Sequence, residues 1–78
     1  MNENEVFPNN EQVKDIFKFT YLFFQKWITV KNVDWGALMA DVRMLEKKYP
    51  FELCRKILVE LVSVIEASYM KRSENNGA

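Results

Sequence analysis

Few residues in this sequence are of types that could perform chemistry, and histidine is missing altogether. Without an imidazole there is no histidine general base, no Ser-His-Asp triad and no imidazole ligand for a metal. The single cysteine, Cys54, lies within an apolar helical face, which predicts a buried, inert thiol rather than a nucleophile. Gly36 and Gly77 form no phosphate-binding loop. The sequence therefore predicts a protein that is not an enzyme and uses no cofactor and no metal.

A second group of candidate residues is basic and lies between positions 43 and 56, where it outnumbers the acidic residues by three. Its members are Arg43, Lys47, Lys48, Arg55 and Lys56. Such a group could contact phosphates, so a small nucleic-acid-binding or transcription-regulatory module is the alternative function. A helix-turn-helix would have polar residues where this sequence has Pro50 and Phe51, and the chain has no net charge. A solvated corner that aids solubility or docks an acidic partner is the favoured interpretation.

Aromatic residues are concentrated in one segment, where lysines are interleaved with them. They are Phe17, Phe19, Tyr21, Phe23, Phe24 and Trp27. Interleaved aromatic and basic residues can stack nucleobases. At helical spacing, however, Lys14, Lys18 and Lys26 fall on the opposite face, which favours a hydrophobic core or a protein interface.

The aromatic segment is predicted to be a helix over residues 9–30. Asn9 and Gln12 have the spacing of a capping box, in which two side chains satisfy free amide groups of the first turn. The aromatic residues of 17–23 also alternate with a period of two, which is typical of a strand. A strand would have no turn signal before it and no obvious partner strand, so a helix is favoured.

Two more helices are predicted, over residues 34–48 and 50–72. Asp34 is a good N-cap for the second helix, and Asp41 lies at the edge of its apolar stripe, where it could meet a lysine or cap a neighbour. Pro50 is expected at the first position of the third helix, after either a tight corner or a kinked continuation. The fold class is therefore all-α, a small three-helix bundle that packs against another chain.

The three helices make one domain over residues 9–72. Residues 1–8 are expected to form a flexible acidic tail, and residues 73–78 a disordered one. The longest apolar run, Tyr21 to Phe24, is far too short to span a membrane. A polar, acidic beginning and a lone thiol predict a cytoplasmic protein without an export signal.

The first helix carries more apolar surface than a lone bundle needs. Its apolar arc covers about 200°, and Leu22 interrupts even the polar face. Such a surplus predicts contact with another chain, most often a second copy in a homodimer and otherwise a dedicated partner protein. The candidate interface residues are Phe19, Leu22, Phe23, Val30 and Val59. Peripheral membrane attachment is less favoured, because the polar face mixes lysines with Asp15.

Overall fold

The computed structural model describes residues 7–77, with side chains described as far as Arg72. Its elements are α1 (Asn10–Ile28), α2 (Trp35–Lys48) and α3 (Glu52–Gly77). The predicted all-α, three-helix fold is confirmed, and the strand alternative for residues 17–23 is wrong because they lie within α1. The expected acidic tail falls almost wholly on residues 1–6, which lie outside the described part.

Both predicted N-caps are present. The Asn9 side chain accepts a hydrogen bond from the Gln12 backbone N–H, and the Gln12 side chain accepts one from the Asn9 N–H, each at 2.9 Å. The Asp34 carboxylate accepts from the backbone N–H of Ala37 at 3.1 Å. Side-chain oxygens thus satisfy amide groups that have no partner inside the helix, which fixes where α1 and α2 begin.

Two of the approximate helix boundaries that the sequence predicts differ from the structure by two residues. The first helix ends at Ile28 rather than at residue 30, with Thr29 as its C-cap. The third begins at Glu52 rather than at Pro50. The Phe51 N–H donates to the Tyr49 carbonyl oxygen at 2.7 Å. That bond closes a three-residue turn, so the backbone at Pro50 is still reversing direction.

The far end of the third helix also differs from the prediction. Residues 73–78 were expected to form a tail, whereas α3 continues through Gly77, and Ala78 lies outside the described part. Neither proline nor glycine occurs between Arg72 and Gly77, so the sequence offers no strong stop before that point. Adding residues to an existing helix costs far less free energy than nucleating a new helix.

Contacts between rings and polar groups define the topology. At the turn between α2 and α3, Cys54 Sγ lies 3.9 Å from the Leu45 carbonyl oxygen. At the other end of the same pair, the Trp35 and Tyr69 rings meet edge to face with centroids 5.7 Å apart. The two helices are therefore antiparallel, and the connection around Pro50 is a tight corner rather than a kinked continuation.

The first helix packs antiparallel to α2 and therefore runs in the same direction as α3. Phe19 stacks on Tyr49 with ring centroids 6.1 Å apart, and Trp27 reaches Asp41 eight residues further along α1. A hydrogen bond of 3.4 Å from the Arg72 guanidinium to the Val30 carbonyl oxygen ties the end of this helix to α3. The bundle is thus an up-down-up arrangement.

All three helices contribute to one closed core. Its buried apolar side chains are Ile16, Phe23, Trp27, Leu38, Val42, Tyr49, Cys54, Leu58 and Ile65. Thr20 is buried among them, and its hydroxyl donates to the Ile16 carbonyl oxygen at 2.6 Å. A threonine can occupy this position because its own helix satisfies its polar group. The core therefore leaves other apolar side chains of α1 free to face outward.

Candidate interaction surface

One apolar stripe of α1 lies beside the core: its members Phe24 and Ile28 pack against the core, whereas Phe17 and Tyr21 are exposed. It consists of Val13, Phe17, Tyr21, Phe24 and Ile28, spaced four, four, three and four residues apart. Phe17 and Tyr21 are 55% and 60% exposed, and the other three are half-buried. We refer to these five residues as the α1 stripe. Each residue turns the helix by about 100°, so this spacing places all five side chains within an arc of about 80° around the helix axis.

The α1 stripe lies on the side of α1 that is turned away from α2. α2 contacts the opposite side, where Lys26 Nζ lies 2.9 Å from Asp41 Oδ2. Lys26 follows Phe17 by nine residues, which places the two about 180° apart around the helix. The stripe therefore cannot be covered by α2.

An exposed apolar residue of α3 belongs to the same face of the bundle. Val64 is 49% exposed and follows Arg55 by nine residues, so these two also lie about 180° apart. Arg55 borders a groove between α2 and α3 together with Met39 and Val42 of α2. Val64 thus points away from α2, as the α1 stripe does. We call the surface formed by the α1 stripe and Val64 the α1–α3 face.

Polar residues border the α1–α3 face unevenly. Lys14 and Lys18 flank the N-terminal half of the α1 stripe, and the uncharged Gln25 flanks its C-terminal half. All three are exposed. Glu11 is exposed as well and lies only about 20° further around α1 than Lys18, so this border carries charges of both signs at its N-terminal end.

The structure separates the five interface residues that the sequence predicted. Phe23 is 5% exposed and belongs to the core, so the prediction that it lies in a free interface is wrong. It lies six residues from Phe17, about 120° away from that residue around α1, on the same side as the buried Ile16 and Trp27. Phe19 and Val30 are half-buried and pack against the core.

The other two predicted interface residues, Leu22 and Val59, are exposed but do not share a face. Leu22 follows Phe17 by five residues and lies about 140° away from it around α1. Val59 borders the groove between α2 and α3. That groove is less apolar than the α1–α3 face because Glu46, Arg55 and Glu66 also line it. The wide arc of α1 predicted surplus apolar surface, but a helical wheel alone could not say which part of it faces outward.

The basic residues of positions 43–56 are distributed around the α2–α3 hairpin. The Lys48 ammonium lies over the Phe19 ring, 4.7 Å from its centroid, and so turns towards α1. Arg55 is on α3 and pairs with Glu52 at 3.3 Å. Arg43, Lys47 and Lys56 are exposed, with Arg43 and Lys47 on α2 and Lys56 on α3.

Two of the five basic residues that the nucleic-acid alternative would use are thus engaged within the bundle, Lys48 over the Phe19 ring and Arg55 with Glu52. The most aromatic part of the region is not open to a base either. Tyr49 is buried, and Lys48 covers the Phe19 ring that stacks on it. A nucleobase needs a free ring face for stacking. Nothing in this placement favours nucleic-acid binding.

Two titratable groups have shifted pKa values, and both lie inside the bundle's own packing. The pKa of Asp41 is lowered, mainly by the hydrogen bond from Lys26, although partial burial opposes that effect. The pKa of the Cys54 thiol is raised by burial and, to a smaller extent, by the negative charge of Glu46. A thiol with these properties is a poor nucleophile, as the sequence predicted.

Comparisons with known proteins give no match to any family model, to any curated protein or to any solved structure. Among the side chains that the structure describes, those of residues 7–72, no three cysteine or carboxylate groups lie close enough together to hold a metal ion. Of the helices described, none has both the length and the apolar content to cross a bilayer.

Proposed function

We propose that this protein is a non-enzymatic helical interaction module that self-associates through the α1–α3 face. The observation that supports the proposal is the exposure of Phe17 and Tyr21, side by side on one helix, in a bundle whose core is already closed. Exposed apolar patches on small proteins commonly mark interaction sites. We place the protein in the cytoplasm, where a lone buried thiol stays reduced.

The size of the α1–α3 face indicates a reversible contact. The α1 stripe spans about 22 Å, and two packed helices are about 20 Å wide, which gives roughly 450 Å² per copy. Two such faces bury roughly 900 Å² together, which is less than the roughly 1,200 Å² at which stable specific interfaces begin and falls in the range of weak, transient contacts. We therefore expect monomer and dimer to exchange with concentration, because the monomer's own core is complete without the contact.

Sedimentation equilibrium and light scattering across micromolar to millimolar concentrations test the proposal. The wild type should shift from monomer towards dimer as concentration rises. Tyr21→Glu should remain monomeric, because dimerisation would bury an unpaired carboxylate. The matched control is Met44→Glu, which changes an exposed apolar residue of α2 outside the face and should dimerise like the wild type.

Two results would overturn the proposal. A wild type that stays monomeric throughout would show that the exposed residues do not bind a second copy. Equal loss of dimer in Tyr21→Glu and Met44→Glu, with unchanged circular dichroism, would show that the α1–α3 face is not the site. A dedicated partner protein would be the next hypothesis in the first case, and another surface in the second.

A further inference from the structure

We propose that the groove between α2 and α3 binds an amphipathic helix of a partner protein, with two cationic residues two turns apart and an apolar residue between them. The groove has a volume of about 480 Å³, and Arg55 borders it, so it lies on the opposite side of α3 from Val64. It is therefore separate from the α1–α3 face, and the two surfaces can be occupied at the same time. The inference does not depend on the proposed function.

The floor of the groove is apolar. Val42 and Leu58 belong to the core and form its base, and the half-buried Val62 lies beside them. Met39 and Val59 form the walls and are 40% and 57% exposed. Along each helix these residues are mostly three or four positions apart, the spacing by which helices pack side by side. A groove of this kind fits the apolar face of an amphipathic helix.

Two carboxylates in the groove have no cationic partner. Glu46 of α2 and Glu66 of α3 both line it, and within residues 7–72 no ammonium or guanidinium group is paired with either. Arg55 also lines the groove, but its guanidinium pairs with Glu52 at 3.3 Å. Glu46 is half-buried, so its charge has lost part of its hydration. A cation on the occupant would compensate that charge, which is why the occupant is expected to be basic.

The positions of the two carboxylates set the spacing of the cations on the occupant. Because α2 and α3 are antiparallel, the contact between Trp35 and Tyr69 places these two residues level with each other. Glu66 precedes Tyr69 by three residues and therefore lies level with Leu38. Leu38 and Glu46 are eight residues apart, or about 12 Å along the axis. Two lysines seven residues apart on a helix share one side of it and are separated by about 10 Å, which matches this distance.

The exposed cations of α2 limit where the occupant can be basic. Arg43 and Lys47 lie about 100° and 140° from Val42 around α2, on its outer rim rather than in the groove. Arg43 falls between the levels of the two carboxylates. A third cation at the centre of the occupant would approach it, so the cations are confined to the two ends.

Titration of ¹⁵N-labelled protein with two synthetic peptides, followed by NMR, tests the proposal. Both peptides are helices of alanine and glutamine with leucine at positions 9 and 10. One carries lysine at positions 6 and 13, and the other carries glutamate there. The lysine peptide should bind at least about fivefold more tightly, and the largest shifts should be at the amides of Val59 and Val62.

Variants of the protein identify the groups responsible. Glu46→Gln combined with Glu66→Gln should remove the preference for the lysine peptide. Glu11→Gln combined with Asp15→Asn changes the net charge equally on α1 and should leave the preference intact. Val59→Ser should weaken the binding of both peptides, because it removes part of the apolar wall.

Four results would overturn the proposal. They are equal binding of the two peptides, a preference that survives the loss of both groove carboxylates, shifts confined to the α1–α3 face, and no shifts at millimolar peptide. Shifts of Val59 that depend on protein concentration without peptide would instead identify a second copy as the occupant, which also contradicts a partner helix. Self-association through the α1–α3 face is measured separately by sedimentation of Tyr21→Glu, so either hypothesis can fail alone.

Discussion

Trp27 donates its indole N–H to the Oδ2 oxygen of Asp41, 3.0 Å away, and thereby joins α1 to α2 through a polar contact at the edge of the core. Lys26 donates to the same oxygen at 2.9 Å. Trp27 is only 6% exposed, so its N–H has little access to water. One carboxylate oxygen thus satisfies a partly buried donor and pairs with an exposed cation.

We expect Asp41→Ala to destabilise the protein by about 1–3 kcal/mol, because it leaves the Trp27 N–H without an acceptor. Asp41→Asn should cost less, since its amide oxygen can still accept that hydrogen bond. Urea denaturation followed by far-UV circular dichroism measures both. If the two substitutions cost the same, the hydrogen bond from Trp27 contributes nothing beyond the carboxylate's charge.

The ion pair between Asp41 and Lys26 should contribute much less to the free energy of unfolding than the hydrogen bond between Asp41 and Trp27. The Lys26 side chain is 59% exposed, so solvent screens its interaction with Asp41. We expect Lys26→Met to cost less than about 1 kcal/mol in the same denaturation experiment. A loss as large as that of Asp41→Ala would contradict this division of roles.

Stability should fall in acid in a way that depends on Asp41. Its pKa in the folded protein lies below the ordinary value of 3.8, chiefly because Lys26 donates to the carboxylate. A lowered pKa means that the stabilisation is fully present above the unfolded-state pKa and is lost as the pH falls through the folded-state value. Asp41→Asn should therefore show a flatter dependence on pH below about 5, and its curve should approach that of the wild type in acid. Urea titrations at a series of pH values measure the difference.

The contact between Lys26 and Asp41 shows how far the sequence could predict the structure. The stripe pattern of α2 placed Asp41 at its edge, where it could meet a lysine or cap a neighbour, and the structure shows the lysine contact. Trp27 as a second partner was not predicted, because that requires the register between two helices, and a single helix's periodicity carries no such information. Caps were predicted correctly because they depend on residues three positions apart.

The part of α1 that faces outward could not be predicted for a related reason. The apolar arc contains both Phe17 and Phe23, and nothing in the spacing of α1 alone distinguishes them. Packing against α2 and α3 buries Phe23 and leaves Phe17 exposed. Thr20 was overlooked as a core residue because it is polar, although its hydroxyl bonds within its own helix. A helical threonine flanked by buried positions is the signal that could have identified it.

Cys54 should react with thiol reagents only when the bundle opens. The residue is fully buried, and burial together with Glu46 raises the pKa of the thiol, so little thiolate is available in the native state. We expect labelling with a chromogenic disulfide at pH 8 to be slow in buffer and fast in denaturing urea. An added exposed thiol, as in Arg43→Cys, provides the matched positive control. Rapid labelling of native Cys54 would contradict the packing between α2 and α3 described here.

Gly36 lies in the first turn of α2, and replacing it should stabilise the protein. It is exposed, and a Cβ built there would meet only the Asp34 Oδ1 atom, at 3.4 Å, which is ordinary contact. Gly36→Ala should therefore raise the free energy of unfolding by up to about 1 kcal/mol, since alanine loses less backbone entropy in a helix. Its neighbour gives the reverse control, because Ala37→Gly should lower that energy by a similar amount.

Gly36→Ala also tests the cap when it is combined with Asp34→Ala. Asp34→Ala should cost about 1 kcal/mol by removing the acceptor of the Ala37 N–H. If the cap and the glycine act independently, Gly36→Ala should give the same gain in the Asp34→Ala background. A gain that appears only after Asp34 is removed would mean that the added methyl group displaces the capping carboxylate. In that case the 3.4 Å contact, rather than helix propensity, would decide the effect of the substitution.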